Sequence, residues 1–452
     1  MKLFRILVRM IVMKFGGSSV ANTERIRHVV EIVKSRLDRK PVLVLSAMGD
    51  TTDHLLQAGE TALKKGVVSM EAIETLHIKT IAELKLSDST LNDVRSLLEE
   101  LRSLLTGISL IRELTPRTRD YLVSFGERLS VRVLAAYFNT LNIKAKALDA
   151  WDGGFISDSN FTSAELTQES WELIPSKLLL PAKEGLLQII TGFIAKDEKG
   201  NITTLGRGGS DLSATMIAAS CKADEVQVWK DVDGILTADP RIVENAKPVE
   251  TVSYEAAAEL AYFGAQVLHP RAMQPCMKTG TPVLVKNSYN PDAPGTRIVA
   301  SLGDKISLVG AISSKRDVTL VDIVSSRMTG QHGFLAEVFS CFAKHGISVD
   351  MLATSEVSVS LTLDTVYDLT ALKKELARIA SVDIKTGKAI ITIIGDVSRS
   401  SEILSRAFRI CEEIGVRVQM ISQGASKVNI SFIVDGREAP EVVKSLHKGF
   451  FG

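Results

Sequence analysis

The chain has 452 residues, of which 45% are apolar, 24% charged and 5% aromatic. These proportions are typical of an ordinary folded protein, and the length suggests roughly three domains of about 150 residues each. The 54 Lys and Arg residues nearly balance the 53 Asp and Glu residues, which leaves a formal net charge of +1. Such a chain has no overall field to attract nucleic acid or an anionic membrane surface, so we expect neither as a partner.

The four cysteines are far apart in the sequence and form no metal-binding or disulfide pattern, which favours a reducing compartment. No apolar run approaches the roughly 18 residues that span a membrane. We therefore expect the cytoplasm as the location. The first 13 residues mix apolar side chains with two arginines and resemble no signal peptide, and they leave Met1, Met10 and Met13 open as the true start.

Residues 11–300 alternate between continuous apolar runs and stretches with helical spacing. The first run, at 11–15, precedes helical spacing at 23–37, and later runs lie at 41–47, 186–193, 225–229 and 281–287. Apolar runs without alternation, separated by helices, predict a mostly parallel sheet covered on both faces. Ligands of such sheets bind beyond the carboxyl ends of the strands. Residues 69–106 predict a helical insertion, and the turn-rich segment 289–295 suits a domain boundary.

Beyond residue 303 the sequence contains an internal repeat. A shift of 69 residues aligns 333–363 with 402–432 without a gap. Each copy predicts a ferredoxin-like βαββαβ unit, at 315–387 and 388–452, with a strand at 304–313 that completes the second unit. Paired small units behind a large α/β domain indicate a regulatory tail. A dimerisation module is the simpler interpretation, and the two roles do not exclude each other.

Two glycine-containing loops follow predicted strands. In the first, Lys14 precedes Gly16, Gly17 and Ser18, where backbone N–H groups and an ammonium can approach phosphate. Alone this pattern is a weak signal, because Gly-Gly is more often a tight turn. Neither a P-loop nor a Rossmann fingerprint occurs.

The second loop, TTLGRGGSD at 203–211, precedes helical spacing at 212–220 and is more specific. A helix cap with Ser210 or Asp211 as the N-cap residue accounts for part of it. A cap does not account for three glycines around Arg207. The acidic and basic stretch at 228–243 suits nucleotide contacts and turn chemistry equally well.

Read together, six motifs resemble the aspartokinases of the amino-acid-kinase superfamily: KFGGSSV, VLVLSAMGDTTDHLL, RTRDYLVSFGERLS, TTLGRGGSDLSA, VWKDVDGILTADPR and AELAYFGAQVLHP. In the tail, GISVDMLATSEVSVSLTLD and VQMISQGASKVNISF resemble the twin ACT domains of the same enzymes. The likeness runs from about Ile11 to the C-terminus and is nearest the lysine-sensitive type, including the plant form. Nothing similar to a homoserine dehydrogenase follows, so we expect a monofunctional chain.

The resemblance implies an α/β fold: an amino-acid-kinase domain at 11–300, with a mostly parallel central sheet covered by helices, and ferredoxin-like ACT domains at 315–387 and 388–452. It implies phosphoryl transfer from ATP with Mg²⁺ to the side chain of L-aspartate, the first step of lysine, threonine and methionine (diaminopimelate) biosynthesis. An aspartate carboxylate, with a pKa of about 3.9, is already ionised at neutral pH and needs no general base. The site must supply alignment and charge stabilisation.

The resemblance also assigns roles to individual residues. Lys14 would neutralise phosphoryl charge and Asp211 would orient Lys14, while no protein side chain is assigned to the metal. The substrate residues would be Thr52, Glu127, Arg207 and Ser210. The nucleotide residues would be Lys14, Gly16, Gly17, Ser18, Lys230, Asp231, Leu236, Arg241, Gln266 and Val267, of which Leu236 and Gln266 depart from a common bacterial pattern.

For regulation, the resemblance implies inhibition by L-lysine bound to the first ACT unit at a dimer interface. The effector residues would be Met328, Gly333, Phe334, Leu335, Ser348, Val349, Asp350, Thr354, Ser355 and Glu356. S-adenosylmethionine is a possible second effector, and we expect a homodimer or dimer of dimers through the ACT units. Two alternatives stay open: another amino-acid or carboxylate kinase of the superfamily, such as a glutamate or acetylglutamate kinase, and a non-catalytic ACT amino-acid sensor.

Overall fold

The computed structural model describes residues 10–262, 268–302, 307–325, 332–364, 367–423 and 428–452. The chain divides into two compact units. The first comprises Met1–Ile235, Glu250–Tyr254 and Val267–Ser301, and the second comprises Leu236–Val249, Glu255–Gln266 and Leu302–Gly452. Two segments from within 11–300 thus belong to the second unit, and the domain limits stated above remain predictions.

In chain order the described elements are β1 (Ile11–Phe15), α1 (Thr23–Lys34), β2 (Val42–Leu45), α2 (Thr51–Lys65), α3 (Glu71–Glu83), α4 (Asp88–Ile111), α5 (Pro116–Thr140), β3 (Ala145–Leu148), β4 (Ile156–Ser157), α6 (Ser170–Lys183), β5 (Leu187–Thr191), β6 (Ile194–Asp197), β7 (Ile202–Thr204), α7 (Gly209–Cys221), β8 (Glu225–Lys230), β9 (Thr251–Ser253), α8 (Tyr254–Tyr262), α9 (Pro270–Thr279), β10 (Val283–Asn287), β11 (Thr296–Val299), β12 (Val309–Val324), α10 (Phe334–Lys344), β13 (Leu352–Thr354), β14 (Ser358–Asp364), α11 (Thr370–Leu376), β15 (Ser381–Gly395), α12 (Ser400–Glu413), β16 (Met420–Ser422), β17 (Asn429–Asp435) and α13 (Ala439–Phe451).

The first unit is built on an eight-stranded sheet in the order β3-β5-β2-β1-β8-β10-β11-β9. Its pairs are parallel apart from β10 with β11, so the predicted, mostly parallel sheet is confirmed. All five residues of β1 are buried, as the continuous apolar run predicted. The carboxyl ends of β1, β2 and β8 therefore meet at one edge of the sheet, where such folds bind ligands.

Helix boundaries follow local capping chemistry. The side chains of Asn22, Ser87 and Thr115 each accept a backbone N–H in the first turn of α1, α4 and α5, respectively. Pro116 occupies the first position of α5, where its missing N–H costs nothing. Helices α3 and α4 form the predicted helical insertion. The turns at 289–295 do not end the first unit, because β11 returns antiparallel to β10.

The second unit contains a six-stranded antiparallel sheet in the order β13-β14-β12-β15-β17-β16. Long strands β12 and β15 run through both copies of the repeat. The first part of β12, from Val309 to Lys315, pairs with Ile390–Gly395 of β15, beside the strands of the second copy. Residues 304–306 of the segment expected to complete that copy lie outside the described residues. In the described ranges, no helix has the length and apolar character needed to cross a membrane.

Candidate functional site

The site begins where β1 and α7 meet. Lys14 lies near the carboxyl end of β1, and its Nζ is 2.7 Å from Oδ1 of Asp211 in the first turn of α7. Both side chains are buried. Helix α7 begins at Gly209 with Gly208 as its N-cap residue, so the interpretation of Ser210 or Asp211 as the N-cap is wrong. Because the cap needs no side chain, the Asp211 carboxylate is available to Lys14.

A second ammonium reaches the same aspartate. Lys230, the last residue of β8, places Nζ 3.3 Å from Oδ2 of Asp211. Burial acts to raise the pKa of Asp211, but the charges of Lys14 and Lys230 outweigh it and hold that pKa below its ordinary value. Asp211 therefore remains an anion between two cations.

The glycines let two loops approach this pair closely. A Cβ at Gly17 would lie 2.9 Å from the carbonyl oxygen of Ala47, so only glycine fits there. Gly208 has φ +73°, and a Cβ at that position would lie 2.7 Å from Cβ of His269. Backbone in the left-handed region at such a contact requires glycine. The Gly16 N–H donates to the carbonyl of Trp229 at 3.3 Å and is thus engaged in the fold.

Glu127 brings a buried carboxylate to the same place from α5. Its Oε1 accepts the N–H of Ala47 at 3.2 Å, while no group among the described residues hydrogen-bonds Oε2. Burial raises the pKa of Glu127 to about 8, despite opposing effects of backbone hydrogen bonds and Lys14. An orphaned, buried carboxylate oxygen is suited to receive a cationic group from a ligand.

A cavity of about 390 Å³ joins these groups. Its lining contains all four predicted substrate residues, Thr52, Glu127, Arg207 and Ser210, together with Lys14, Gly17 and Asp211. Arg207 is exposed, and within the described part of the chain no carboxylate pairs with it. Among the described residues, the cavity therefore holds one cation without a carboxylate partner and one buried carboxyl group with an unbonded oxygen, beside the Lys14–Asp211 pair.

Sequence reasoning missed several lining groups. Ser46 donates its hydroxyl hydrogen to Oγ of Ser210 at 3.2 Å, and Ala47 supplies the N–H that binds Glu127. Phe193, which follows β5, also lines the cavity. The only signal for Ser46 and Ala47 was their place at the end of a strand, because their side chains carry no distinctive chemistry.

The predicted nucleotide residues are less completely placed. Gly16 and Ser18 belong to the loop after β1 but not to the cavity lining, and Asp231 is exposed. Leu236 and Arg241 belong to the second compact unit, where Arg241 pairs with Asp239. Gln266 and Val267 lie outside the described residues. Over the described ranges, no group of three or more His, Cys, Asp or Glu side chains is arranged to hold a metal ion.

The predicted effector residues lie in the first copy of the repeat. Gly333, with φ +89°, is the N-cap residue of α10, Phe334 is buried and Leu335 is partly exposed. Val349 is half-buried. Ser348, Thr354, Ser355 and Glu356 are exposed, and Met328 lies outside the described residues. Asp350 is engaged already, because Lys315 Nζ lies 2.7 Å from its Oδ2 and the Tyr262 hydroxyl donates to its Oδ1 at 2.6 Å.

Comparison with known proteins agrees with this architecture. The model of the amino acid kinase family matches residues 9–287, and an ACT domain model matches 321–374 and 391–450. The chain is 50% identical to aspartokinase 1, chloroplastic, of Arabidopsis thaliana, over 97% of this chain and 80% of that protein. It is 35% identical to the lysine-sensitive aspartokinase 3 of Escherichia coli, over 98% of this chain and 99% of that protein.

The fold is similar to crystal structures of E. coli aspartokinase III in two states. The R-state structure, with aspartate and ADP, matches with a TM-score of 0.82 at 33% identity, covering 98% of this chain and all of that one. The T-state structure, with lysine and aspartate, matches with the same TM-score at 34% identity and the same coverage. Full-length similarity in sequence and fold, with both domain types in the same order, shows that the chain belongs to the amino acid kinase family and, within it, to the aspartokinases with C-terminal ACT domains.

Proposed function

We propose that the chain transfers the γ-phosphoryl group of ATP to the side-chain carboxylate of L-aspartate, giving 4-phospho-L-aspartate and ADP. The observation that carries this proposal is the Lys14–Asp211 ion pair at the wall of a cavity that also contains Glu127 and Arg207. The aspartokinase relatives and the aspartate and ADP complex of the E. coli protein support it.

The chemistry requires charge stabilisation more than proton transfer. The attacking carboxylate is ionised at neutral pH, so no side chain has to remove a proton. Negative charge spreads over the transferring phosphoryl oxygens, and a fixed ammonium there stabilises the transition state more than the ground state. Lys14 supplies that ammonium, and Asp211 fixes its direction by an ion pair of 2.7 Å. Asp211 is therefore a positioning residue.

Aspartate needs two further anchors at its other end. Its α-carboxylate pairs with the Arg207 guanidinium, and its α-ammonium pairs with the Glu127 carboxylate. Thr52 and Ser210, on the same cavity wall, offer hydroxyl groups for hydrogen bonds. This assignment accounts for the orphaned Oε2 of Glu127 and the unpaired Arg207, because the substrate provides the missing charges.

ATP accounts for the remaining predicted residues. Gly16, Gly17 and Ser18 in the loop after β1 are proposed phosphate contacts, although the N–H of Gly16 already donates to Trp229, and Lys230 would add a second ammonium. Asp231, Leu236, Arg241, Gln266 and Val267 are proposed nucleotide contacts on sequence grounds alone. Mg²⁺ arrives as part of the nucleotide substrate. The ion would neutralise phosphate charge, and no side chain of the chain is assigned to it, because Lys14 and Lys230 already engage both oxygens of Asp211.

A coupled assay of ADP formation tests the reaction. Purified protein is incubated with MgATP and L-aspartate, L-glutamate or no amino acid. We expect ADP formation with aspartate only. A faster reaction with glutamate would assign the chain to another carboxylate kinase, and no reaction with either acceptor would favour a non-catalytic amino-acid sensor.

We also propose feedback inhibition by L-lysine through the first ACT unit. The support is the lysine complex of the E. coli protein and the acidic character of the first repeat, which contains Asp350 and Glu356 where the second contains Gln419 and Ala425. The N-terminus of α10 is suited to the α-carboxylate of the effector. Substitution of Asp350 or Glu356 by alanine should abolish inhibition, measured against each variant's own uninhibited rate. Strict competition between lysine and aspartate would contradict the ACT mechanism.

Assembly and location complete the proposal. We infer a dimer, or a dimer of dimers, through the ACT units, which light scattering of the purified chain tests directly. S-adenosylmethionine is a second candidate effector, to be titrated beside lysine. The reaction would serve lysine, threonine and methionine biosynthesis. We propose the cytoplasm as its location, although the Arabidopsis relatives are named as chloroplastic.

A further inference from the structure

A cage for one ammonium group surrounds Lys315 in the second compact unit. Lys315 lies on β12, and its Nζ is 2.7 Å from Oδ2 of Asp350 and 2.8 Å from Oδ1 of Asp364. The ring of Tyr262, at the end of α8, lies with its centroid 5.0 Å from the same nitrogen. Two carboxylates and an aromatic face thus enclose the ammonium, and each attracts a cation.

Both oxygens of Asp350 are engaged. Lys315 binds Oδ2, and the Tyr262 hydroxyl donates to Oδ1 at 2.6 Å. The Asp350 side chain is only 3% exposed. A carboxylate this deeply buried is costly without a cation, and any new cation at this position must replace the existing one.

The cage is selective for a primary ammonium on a flexible alkyl stem. A guanidinium is planar and larger, and a neutral side chain would leave two carboxylates without a counter-charge. The side chain that the cage now holds is that of a lysine. Free L-lysine carries the same group on the same stem, so the cage fits the effector and the internal side chain equally well.

We propose that Lys315 is an internal occupant of the site that recognises the side-chain ammonium of L-lysine, and that the effector binds by displacing it. This inference rests on the lysine inhibition proposed above and adds Tyr262, Asp364 and Lys315 to the residues involved. The exchange conserves charge in the cage, because one ammonium leaves Asp350 and Asp364 as another arrives. The released Lys315 is 21% exposed already, so its path to water is short.

The second repeat provides an internal comparison. The last residue of β17, Asp435, corresponds to Asp364 at the end of β14, and Lys388 Nζ lies 3.4 Å from its Oδ2. The position of Asp350 is occupied by Gln419 at the shift of 69 residues, so the second copy retains one lysine–aspartate pair but not the second carboxylate of the cage. The cage is therefore a feature of side-chain chemistry in the first copy and not a requirement of the βαββαβ unit.

An internal competitor lowers the apparent affinity of the effector. A tethered group has an effective concentration of about the millimolar range. The apparent affinity for free lysine equals the intrinsic affinity multiplied by the fraction of time for which Lys315 leaves the site free. Removal of the Lys315 charge should thus make lysine bind more tightly. If Lys315 instead contacted the bound effector directly, its removal would weaken lysine binding.

The test compares two lysines of one sheet. Lys315→Met keeps the apolar stem and removes the ammonium. The matched control is Lys385→Met on β15, because Lys385 also pairs with two aspartates, Asp322 at 2.7 Å and Asp383 at 3.3 Å, but is 43% exposed. Calorimetry and inhibition curves with L-lysine are measured on the full chain. We expect an affinity about tenfold higher in Lys315→Met and unchanged within about twofold in Lys385→Met.

Variants of the cage walls give the complementary result. Asp364→Asn and Tyr262→Phe should weaken lysine binding, because each removes one attraction for the ammonium. Unchanged or weaker lysine binding in Lys315→Met would contradict the proposal that Lys315 competes with L-lysine for the cage. If the wild-type chain neither binds lysine nor is inhibited by it, the proposed lysine regulation is wrong. That outcome differs from one in which lysine binds but Lys315 does not compete with it.

A measurement on the wild-type chain avoids any dependence on folding of the variants. Amine-reactive labelling with detection by mass spectrometry reports the accessibility of each lysine. We expect L-lysine to increase labelling of Lys315 relative to Lys385, which acts as an internal standard for reagent consumed by the free amino acid. If the ratio of Lys315 labelling to Lys385 labelling does not rise at saturating lysine, the effector does not displace Lys315.

Discussion

Each compact unit contains a lysine whose ammonium lies 2.7 Å from a buried aspartate: Lys14 with Asp211 in the first unit, and Lys315 with Asp350 in the second. The pairs are alike in chemistry and distance, but their surroundings differ. Glycine loops and a cavity of about 390 Å³ adjoin the first pair. An aromatic ring and a second carboxylate close around the second pair.

The difference indicates how one interaction serves two purposes. Around Asp211 the cations outnumber the acid, since Lys230 also pairs with it, so positive charge remains for phosphate. Around Lys315 the acids outnumber the cation, so the site attracts an ammonium. The balance of charge around a buried pair, more than the pair itself, determines which ligand it recognises.

The largest expected effect is on catalysis at the first pair. Lys14→Ala should lower kcat by about 10²–10³, or roughly 2.7–4 kcal/mol of transition-state stabilisation, because a fixed donor facing developing charge is lost. Lys14→Arg should lower kcat similarly, since a planar guanidinium group does not replace the compact charge of an ammonium between glycine loops. Steady-state kinetics with circular dichroism to verify folding measures both variants.

A control variant tests whether removal of a lysine elsewhere in the chain also lowers kcat. Lys34→Ala removes an exposed partner of Glu31 on α1 and should leave the rate unchanged, since exposed pairs contribute about 0–1 kcal/mol to stability alone. If Lys14→Ala retained more than about a tenth of the wild-type rate, the catalytic role of the first pair would be wrong.

A smaller effect is expected at the unpaired cation of the cavity. Arg207→Ala should raise KM for aspartate by about 10- to 100-fold, the equivalent of one charged hydrogen-bonded contact of roughly 1.5–3 kcal/mol. KM for ATP should change little. An equal rise in both constants would instead place Arg207 on the phosphates.

The buried carboxyl group of Glu127 in the cavity predicts a pH dependence. The pKa of Glu127 is raised to about 8 by burial, so below that pH the ligand-free carboxyl is mostly protonated. Its pairing with the aspartate ammonium requires the ionised form, and KM for aspartate should fall about tenfold as pH rises from 6 to 7. Glu127→Gln should raise KM and flatten this profile. A flat profile in the wild-type chain would exclude Glu127 as the ammonium partner.

The first site was largely predictable from sequence, whereas the second was predictable only in part. Lys14, Arg207 and Asp211 lie in loops that directly follow strands, and a parallel sheet brings such loops to one edge. The cage combines β12, β14, the segment before β13 and the end of α8. Asp350 was named among the effector residues, but no local motif or periodicity links it to Lys315, Asp364 or Tyr262, because their proximity arises from strand pairing and helix packing.

The smallest expected effect concerns stability, and it separates the two pairs once more. At pH 7, Lys14→Met should lower the free energy of unfolding by no more than about 1 kcal/mol. A buried carboxylate is strongly destabilising only when left without a counter-charge, and Lys230 remains 3.3 Å from Asp211. Lys315→Met should cost more, about 1–3 kcal/mol, because the side-chain partner of Asp350 that remains among the described residues is the neutral Tyr262 hydroxyl.

Urea denaturation of both variants beside the wild type measures this order, and acid titration adds a check on its origin. The pKa of Asp211 lies below its ordinary value of 3.8 because of Lys14 and Lys230, so its contribution to stability is present above about pH 4 and is lost as pH falls through the lowered pKa. Lys14→Met removes one of the two cations, which should raise the pKa of Asp211. The loss of stability on acidification should then begin at a higher pH. A larger urea effect for Lys14→Met than for Lys315→Met would mean that Lys230 does not compensate Asp211, and that the first pair also carries structural stability.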